Sequence, residues 1–311
     1  MIEGRVLRKF DPWHGSLCTC PLKYSLSPYT GCGHSCLYCY ISAYIRDPFR
    51  PRPKKDFIRN LKKDLRKVRP GDLVSMSNSS DPYTPLEREL KLSRSAIKLL
   101  IDFGLRVLIV TKSDLVIRDL DLLSKGRCAI SVTVTTMDED VTSRLEPRAP
   151  SPKCRIRALK RASEAGIPTI LRLDPIIPCI NDSEESISAV IRSARNAGVL
   201  HVVSSTYKAR ADSLKRIISS FPELKVLKEL YRKGERVGGY MYLPHSIRKA
   251  ILDRVRVLAV EAGMTFATCR EGMPELNLSF NGVSCDGSHL TVDRAFLTSG
   301  EFISDCSLRD D

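Results

Sequence analysis

Along the first two thirds of the chain, short apolar runs alternate with segments whose apolar residues recur at helical spacing. Six runs read as strands: Tyr24 to Thr30, Leu73 to Ser77, Val107 to Lys112, Ala129 to Thr136, Thr169 to Asp174 and Leu200 to Ser205. Phe57, Ile58, Leu61, Leu65 and Val68 share one helical face until Pro70 stops the pattern. A second helix is expected from Glu87 to Phe103, with Gly104 supplying the left-handed residue that closes it. Ser151 and Pro152 open a third as cap and first-turn proline, and Gly166 ends it. Asp182 is expected to cap a fourth that runs to about Gly198.

Strict alternation of this kind implies a parallel sheet with helices outside it. Six units predict an α/β fold, a partial (β/α)6 TIM-like barrel with a C-terminal cap, rather than a closed eight-fold barrel. The loops that follow the strands then gather at one face, which is where ligands bind. After Ser205 the alternation weakens. Helical stretches at Ala211–Ser220 and Pro244–Ala262 lead into a Gly/Ser/Asn-rich segment, Asn277 to Ser288. The expected organisation is an N-terminal extension over residues 1–23, the barrel over 24–210 and a C-terminal helical cap over 211–311, with no internal repeat.

Composition changes this picture only at a few points. A hydrophobic fraction of 42% and a charged fraction of 28% suit a soluble globular chain. Arg5, Arg8 and Lys9 are followed by no apolar signal core, and no run of about 18 apolar residues occurs. A cytoplasmic protein without a membrane partner is therefore expected. The net charge is +14, and the excess is uneven: Arg46 to Arg69 holds eleven basic residues and three acidic ones. Such a run concentrates polyanions such as DNA or RNA, and it equally suits a solvated helix face.

Eleven cysteines are too many, and too irregularly spaced in too long a chain, for a small disulfide scaffold; metal ligation explains them more economically. Cys32, Cys36 and Cys39 lie together in SPYTGCGHSCLYCY. Closely spaced thiolates on one loop are how iron–sulfur clusters are held, and three ligands to a four-iron cube leave one iron open. Structural zinc fits less well, because it needs a fourth ligand and His34 sits too near in the loop for easy tetrahedral geometry. Cys18, Cys20, Cys269 and Cys285, with His289 as a spare ligand, form a second candidate set for another [4Fe–4S] cluster or a zinc ion. The same four also read as unpaired thiols or one or two disulfides. Cys128 and Cys154 read as packing residues, and Cys306 as an exposed residue near the acidic tail. His14, His201 and His245 have no evident partner.

With an aromatic just before its last cysteine, the Cys-x3-Cys-x2-Cys loop resembles the signature of the radical S-adenosylmethionine (SAM) superfamily. More narrowly, SPYTGCGHSCLYCY, SSDPYTPLE, VTKS and LEPRAPS resemble the branch related to spore photoproduct lyase. The resemblance implies a [4Fe–4S] cluster on Cys32, Cys36 and Cys39 whose open iron chelates SAM. An electron from a donor such as ferredoxin or flavodoxin cleaves the S–C5′ bond, and the resulting 5′-deoxyadenosyl radical takes a hydrogen atom from the substrate. Carried over, Tyr38 lies along the adenine through its backbone, Ser80 and Asp81 meet the methionine amino group, and Lys112 pairs with its carboxylate. Ser131 and Thr133 lie where the ribose is expected. Each has an ordinary reading too: Ser-Ser-Asp-Pro is a good turn, and Lys112 could be a solvated loop lysine. Glu146 and Arg148 orient the cofactor or only pair with each other.

The pattern breaks at one place. Where spore photoproduct lyases carry a hydrogen-donating cysteine, this chain has Asn78, which cannot return a hydrogen atom. Cys179 and Tyr83 are the alternative donors, though Cys179 reads first as a small buried thiol. Three functions stay open: radical chemistry on a nucleic acid, as base repair or RNA modification; the same chemistry on a peptide, protein or small metabolite; and a non-catalytic iron–sulfur electron carrier. Lys112 and the Ser80-Asp81 pair argue against the last, because an electron carrier needs no cofactor pocket.

Overall fold

A computed structural model of the chain describes residues 3–10, 17–76, 79–277 and 283–293. Strand β1 (Leu7–Lys9) runs antiparallel to β2 (Tyr24–Leu26), with Leu7 opposite Leu26. The chain then leaves the sheet, and β3 (Tyr29–Thr30) pairs instead with β4 (Arg52–Pro53), bracketing the cysteine loop. Alternation follows: α1 (Phe57–Leu65), β5 (Leu73–Met76), α2 (Glu87–Leu90), α3 (Leu92–Asp102), β6 (Arg106–Thr111), α4 (Leu120–Leu123) and β7 (Cys128–Thr133). It continues through α5 (Glu139–Leu145), α6 (Pro152–Glu164), β8 (Thr169–Ile176), α7 (Glu184–Asn196) and β9 (His201–Thr206). Beyond lie α8 (Ala211–Ser220), α9 (Val226–Arg232), the hairpin β10 (Arg236–Val237) and β11 (Tyr240–Met241), α10 (His245–Glu261) and β12 (Thr265–Thr268).

The sheet order is β1-β2-β5-β6-β7-β8-β9-β12, parallel from β2 onward. This is an open, partial barrel; among the described residues its two edges do not pair. The six expected strands form its middle, and two short strands flank them. β12 continues the sheet beside β9, with Phe266 opposite Val202, so the C-terminal part supplies a strand as well as helices.

The strands are buried on both faces, as parallel strands covered by helices must be. Alternate residues serve different purposes, because successive side chains point to opposite faces. Val107, Ile109, Ile130, Val132, Leu171, Leu173 and Val202 belong to the main core. Replacing one such aliphatic by alanine costs about 2–5 kcal/mol. On the concave face, Leu73, Leu108, Ala129, Ile170 and Val203 form a separate apolar floor. Two residues further along the strands stand Ser75, Ser131, Arg172 and Ser205, with Val110 as the one apolar residue in the row. The concave face is thus dry toward the strand starts and polar toward their ends.

Residues 283–293 close part of that open side. Leu290 packs into the apolar floor, and Gly287, at φ 79°, comes so close that a Cβ there would lie 2.6 Å from Ile170. Only glycine suits both that conformation and that approach.

Three local expectations shift. The helix expected over Glu87–Phe103 breaks at Lys91, whose φ is 49°. The buried Glu87 carboxylate explains the break: it accepts the N–H groups of Ser93 at 2.8 Å and Arg94 at 3.2 Å, capping α3 where a continuous helix would have used its own carbonyls. Ser183, not Asp182, caps α7, accepting from the Ser186 N–H at 3.2 Å. Asp182 instead accepts from the Cys179 N–H at 2.7 Å. The first strand ends at Leu26 rather than Thr30 because Tyr29 and Thr30 find their ladder partners at Pro53 and Arg52. Gly104 and Gly166 take the left-handed conformation expected of them, and Ser151 caps α6. No helix among the described residues is long and apolar enough to cross a membrane.

Candidate active site

The cysteine loop is irregular backbone, so its own amides and carbonyls need partners from elsewhere. Three elements supply them. The Cys32 N–H donates to the Pro48 carbonyl at 2.8 Å. The turn after α5 exchanges two bonds with the loop, Leu37 N–H to Leu145 O at 2.9 Å and Arg148 N–H to His34 O at 3.2 Å. From α8, Arg216 donates to the carbonyls of Leu37 at 2.9 Å and Cys39 at 2.8 Å. Gly31, at φ 81°, lets the chain pass the Arg50 carbonyl where a Cβ would stand 2.6 Å away.

Cys36 is buried, and Cys32 and Cys39 are half-buried. Burial pushes all three thiols up, Cys32 to about 12, because a thiolate is poorly solvated there. Backbone N–H groups work against that cost: those of His34 and Asp81 point at Cys32, and those of Tyr40 and Ile41 at Cys39. Three soft ligands on one loop, with amides aimed at the sulfurs, suit an iron–sulfur cluster. Among the described residues no three donors surround a single ion-sized position, so the loop is not a ready-made mononuclear site.

All three cysteines line a cavity of about 280 Å³ at the polar end of the strands, with Asp81, Lys112 and Thr133. Burial alone would raise the Asp81 carboxyl, yet it is held below its ordinary range by His34, Thr111 and the Lys112 amide. Its Oδ1 accepts from Thr111 Oγ1 at 2.6 Å and the Tyr83 N–H at 2.9 Å. Its Oδ2 accepts from the Lys112 N–H at 2.8 Å and lies 3.2 Å from His34 Nε2. Asp81 therefore ties the cysteine loop to the ends of two strands. The Lys112 ammonium stands 5.3 Å from the Tyr38 ring centroid. The buried Ser80 and Ser131 hydroxyls have no hydrogen-bond partner within the protein, but neither residue lines the cavity; Ser79 and Thr133 do.

Behind the loop lies a buried ion pair that sequence reasoning half found. Tyr38 donates its hydroxyl to Glu146, and Arg155 meets the other Glu146 oxygen at 2.5 Å. Arg148, the expected partner, contributes only its backbone to the loop contact. The missed Arg155 sits with Ala158, Leu159 and Ala162 on the buried face of α6, and an arginine at a core position of a helix is a signal that could have found it. Arg172, Asp174 and Ser205 were also missed; they form a cavity wall in which Asp174 accepts from Arg172 at 2.7 Å and Ser205 at 2.6 Å.

The second cysteine set reaches the same cavity, which Cys18, Cys20 and Cys269 line, while Cys285 Sγ lies 3.3 Å from Cys20 Sγ. The two hydrogen-donor candidates do not join them. Cys179 is exposed in a turn at φ 63°, and Tyr83 is buried with its hydroxyl on Asp119 at 3.1 Å. His201 is buried, with Nδ1 2.8 Å from Thr265 Oγ1, edge-on to His289. Cys128 is buried in β7, and Cys154 lies half-buried in α6. Asn78, His14 and Cys306 lie outside the described residues.

Residues 26–206 match the Radical SAM superfamily. The chain belongs to the radical SAM superfamily. An uncharacterised protein of Acidianus two-tailed virus is 31% identical over 220 residues, 64% of this chain and 72% of that one. A radical SAM Nalpha-GlyT isomerase of Pseudomonas phage M6 is 23% identical over 258 residues; the alignment takes in 78% of this chain and 53% of the isomerase. Among solved structures, spore photoproduct lyase complexed with dinucleoside spore photoproduct superposes with a TM-score of 0.64 at 18% identity, covering 79% of this chain and 75% of the lyase. That likeness establishes the radical SAM partial barrel, and superfamily membership implies a [4Fe–4S] cluster, SAM and a source of electrons.

Proposed function

We propose that this radical SAM protein acts on a nucleic-acid base, with Cys32, Cys36 and Cys39 as cluster ligands and the cavity beside them holding SAM. The observation that carries the cofactor part is the convergence of three thiols, Lys112, Asp81 and Thr133 on one cavity at the polar end of a half-open sheet. The cluster and SAM together supply reductive cleavage of a carbon–sulfur bond and, from it, a hydrogen-abstracting radical.

The chain's own residues bind, orient and exclude water. Lys112 offers the cation for the SAM carboxylate, and its position is fixed through its backbone bond to Asp81. Ser79, which lines the cavity where its neighbour Ser80 does not, offers a hydroxyl toward the amino group. Asp81 acts chiefly by holding Lys112, Thr111 and His34 in place, since all its oxygens are occupied. Thr133 faces the ribose, with Ser131 two residues earlier on the strand and outside the cavity lining, and Tyr38 presents backbone to the adenine while Glu146 holds its hydroxyl. Beneath them, the apolar floor of Leu73, Leu108, Ala129, Ile170 and Val203 keeps water from below. Cys179 and Tyr83 stand outside the cavity lining, so neither is assigned the hydrogen-return role.

The substrate class is supported by charge. Of the eleven basic residues between 46 and 69, nine are exposed, including Arg46, Arg59, Lys62 and Lys63. They begin seven residues after Cys39, and the Pro48 carbonyl among them bonds the Cys32 amide. A cationic face joined to the cysteine loop suits a phosphate backbone. The lyase of the same fold is seen with a dinucleoside ligand.

Two measurements test the reading. With dithionite and SAM, the anaerobically reconstituted chain should release 5′-deoxyadenosine, and Cys36→Ala should not; release at the wild-type rate from that variant would refute the cofactor assignment. Oligonucleotide affinity should fall steeply between about 50 and 200 mM salt. Flat, weak binding would move the substrate to a peptide or small metabolite.

A further inference from the structure

Cys18, Cys20, Cys269 and Cys285 come from opposite ends of the chain. The Cys20 and Cys285 sulfurs lie 3.3 Å apart across a separation of 265 residues. Cys18 hydrogen-bonds to Cys20. Cys269, just past the end of β12, is held by its N–H on the Ser204 carbonyl at 2.9 Å and lines the same cavity as Cys18 and Cys20. Beside the thiols, Lys23 and Asp286 form a buried ion pair that joins the segment before β2 to the segment carrying Cys285. On the other side Arg172, itself paired with Asp174, hydrogen-bonds Cys269.

We infer that these four cysteines form a second, thiolate-bound metal centre, facing the Cys32/Cys36/Cys39 loop across the cavity and taking either a [4Fe–4S] cluster or Zn²⁺. Four thiols gathered in one partly dry pocket need a reason. A disulfide would use two of them and leave two, and 3.3 Å is well outside the roughly 2.05 Å of a sulfur–sulfur bond. Soft thiolates select zinc or iron–sulfur clusters over harder ions. Lys23 and Arg172 stand on either side of the set, but each is already paired with a carboxylate, Asp286 and Asp174, so they offset only part of the negative charge of four thiolates. No three of the donors yet surround a single ion position, and the same is true of Cys32, Cys36 and Cys39. The 3.3 Å between Cys20 and Cys285 is close to the roughly 3.7 Å that thiolates keep around one tetrahedral zinc, whereas a multi-iron cube, which spreads its thiolates over separate irons, needs them to move apart when it binds. The four ligands leave no open iron in a cube and no open position on zinc, so the centre serves structure or electron transfer. It would lock both chain ends over the open side of the barrel.

The test uses metal content and thiol reactivity, without SAM, so that its failure is separate from failure of the radical reading. In a Cys32→Ala, Cys36→Ala, Cys39→Ala chain reconstituted anaerobically, about four irons and four sulfides, or about one zinc, should remain. Adding Cys20→Ala and Cys285→Ala should empty it. Iron with sulfide identifies the cube, and zinc alone identifies the mononuclear site. In the wild-type chain, alkylation mapped by mass spectrometry should find Cys18, Cys20, Cys269 and Cys285 protected when loaded and reactive after chelation. A triple variant that binds neither iron nor zinc while keeping the wild-type circular dichroism spectrum overturns the inference. So does free labelling of Cys20 and Cys285 in the loaded wild type, or a Cys20–Cys285 disulfide in place of metal.

Discussion

The two cysteine sets differ in how they come to exist. Cys32, Cys36 and Cys39 are neighbours in the chain, and folding only has to hold their loop still. It does so with contacts from Pro48, from the end of α5 and from Arg216. Cys18, Cys20, Cys269 and Cys285 are brought together by the sheet, the Lys23–Asp286 pair and the passage of residues 283–293 over the concave face. The first arrangement survives as long as its loop is gripped. The second lasts only while both chain ends stay docked. A local site resists global loosening, whereas a site made from the termini reports it.

The largest expected effect falls on the local set. Cys36→Ala should lower 5′-deoxyadenosine release to background while leaving any metal at the other set in place, measured by metal analysis on the same sample. Loss of both together would erase the distinction between the regions. Next, Arg155→Ala leaves Glu146 charged, buried and without its cation, a change worth about 3–5 kcal/mol. Urea unfolding should show that loss, and the Tyr38 contact should make the loop looser as well.

Acid should act first on the other region. Burial lowers His201 to about 3 and His289 to about 4. Both stay neutral in the folded chain at pH values where the unfolded chain, with ordinary values near 6.5, takes up protons. Their contribution is therefore complete above about pH 6.5 and is lost as pH falls toward 4, at up to about 1.4 kcal/mol per pH unit for each histidine. Hydrogen exchange on metal-free protein should show residues 283–293 losing protection on acidification before the cysteine loop does. The reverse order would contradict the contrast between the two regions. The smallest effect is expected from Arg216→Ala, which removes two grips on loop carbonyls, roughly 1–3 kcal/mol and mostly local. It should speed Cys39 alkylation in the metal-free chain with little shift in the global unfolding midpoint; an unchanged labelling rate would show that α8 does not hold the loop.

Much of this was legible from residue patterns. The six middle strands read correctly because a parallel strand covered on both faces must be nearly continuous apolar sequence. The cysteine loop stood out because its three thiols are close neighbours in the chain. Helix ends were less secure: the break at Lys91 depends on Glu87 folding back to cap α3, and Ser183 replaced Asp182 because Asp182 is used by the turn at Cys179. β1 and β12 are too short to announce themselves; the sheet edges they join make them strands. Arg155, Arg172 and Asp174 were passed over because charged residues normally stay in solvent, and only a specific partner makes their burial tolerable.

Sequence alone determined the partial barrel and singled out the Cys32, Cys36 and Cys39 loop, since both rest on short-range regularities: strand and helix periods in one case, cysteine spacing in the other. Tertiary structure decided everything that depends on long-range placement. It put the Glu146–Arg155 pair behind the loop, turned Asp81 into a tie between loop and strands, and left Cys179 at the surface. It also set Cys20 against Cys285. The physical reason is that spacing along a chain limits distance only between near neighbours, whereas residues 265 apart meet solely because a packed sheet and a buried ion pair hold their segments in one place.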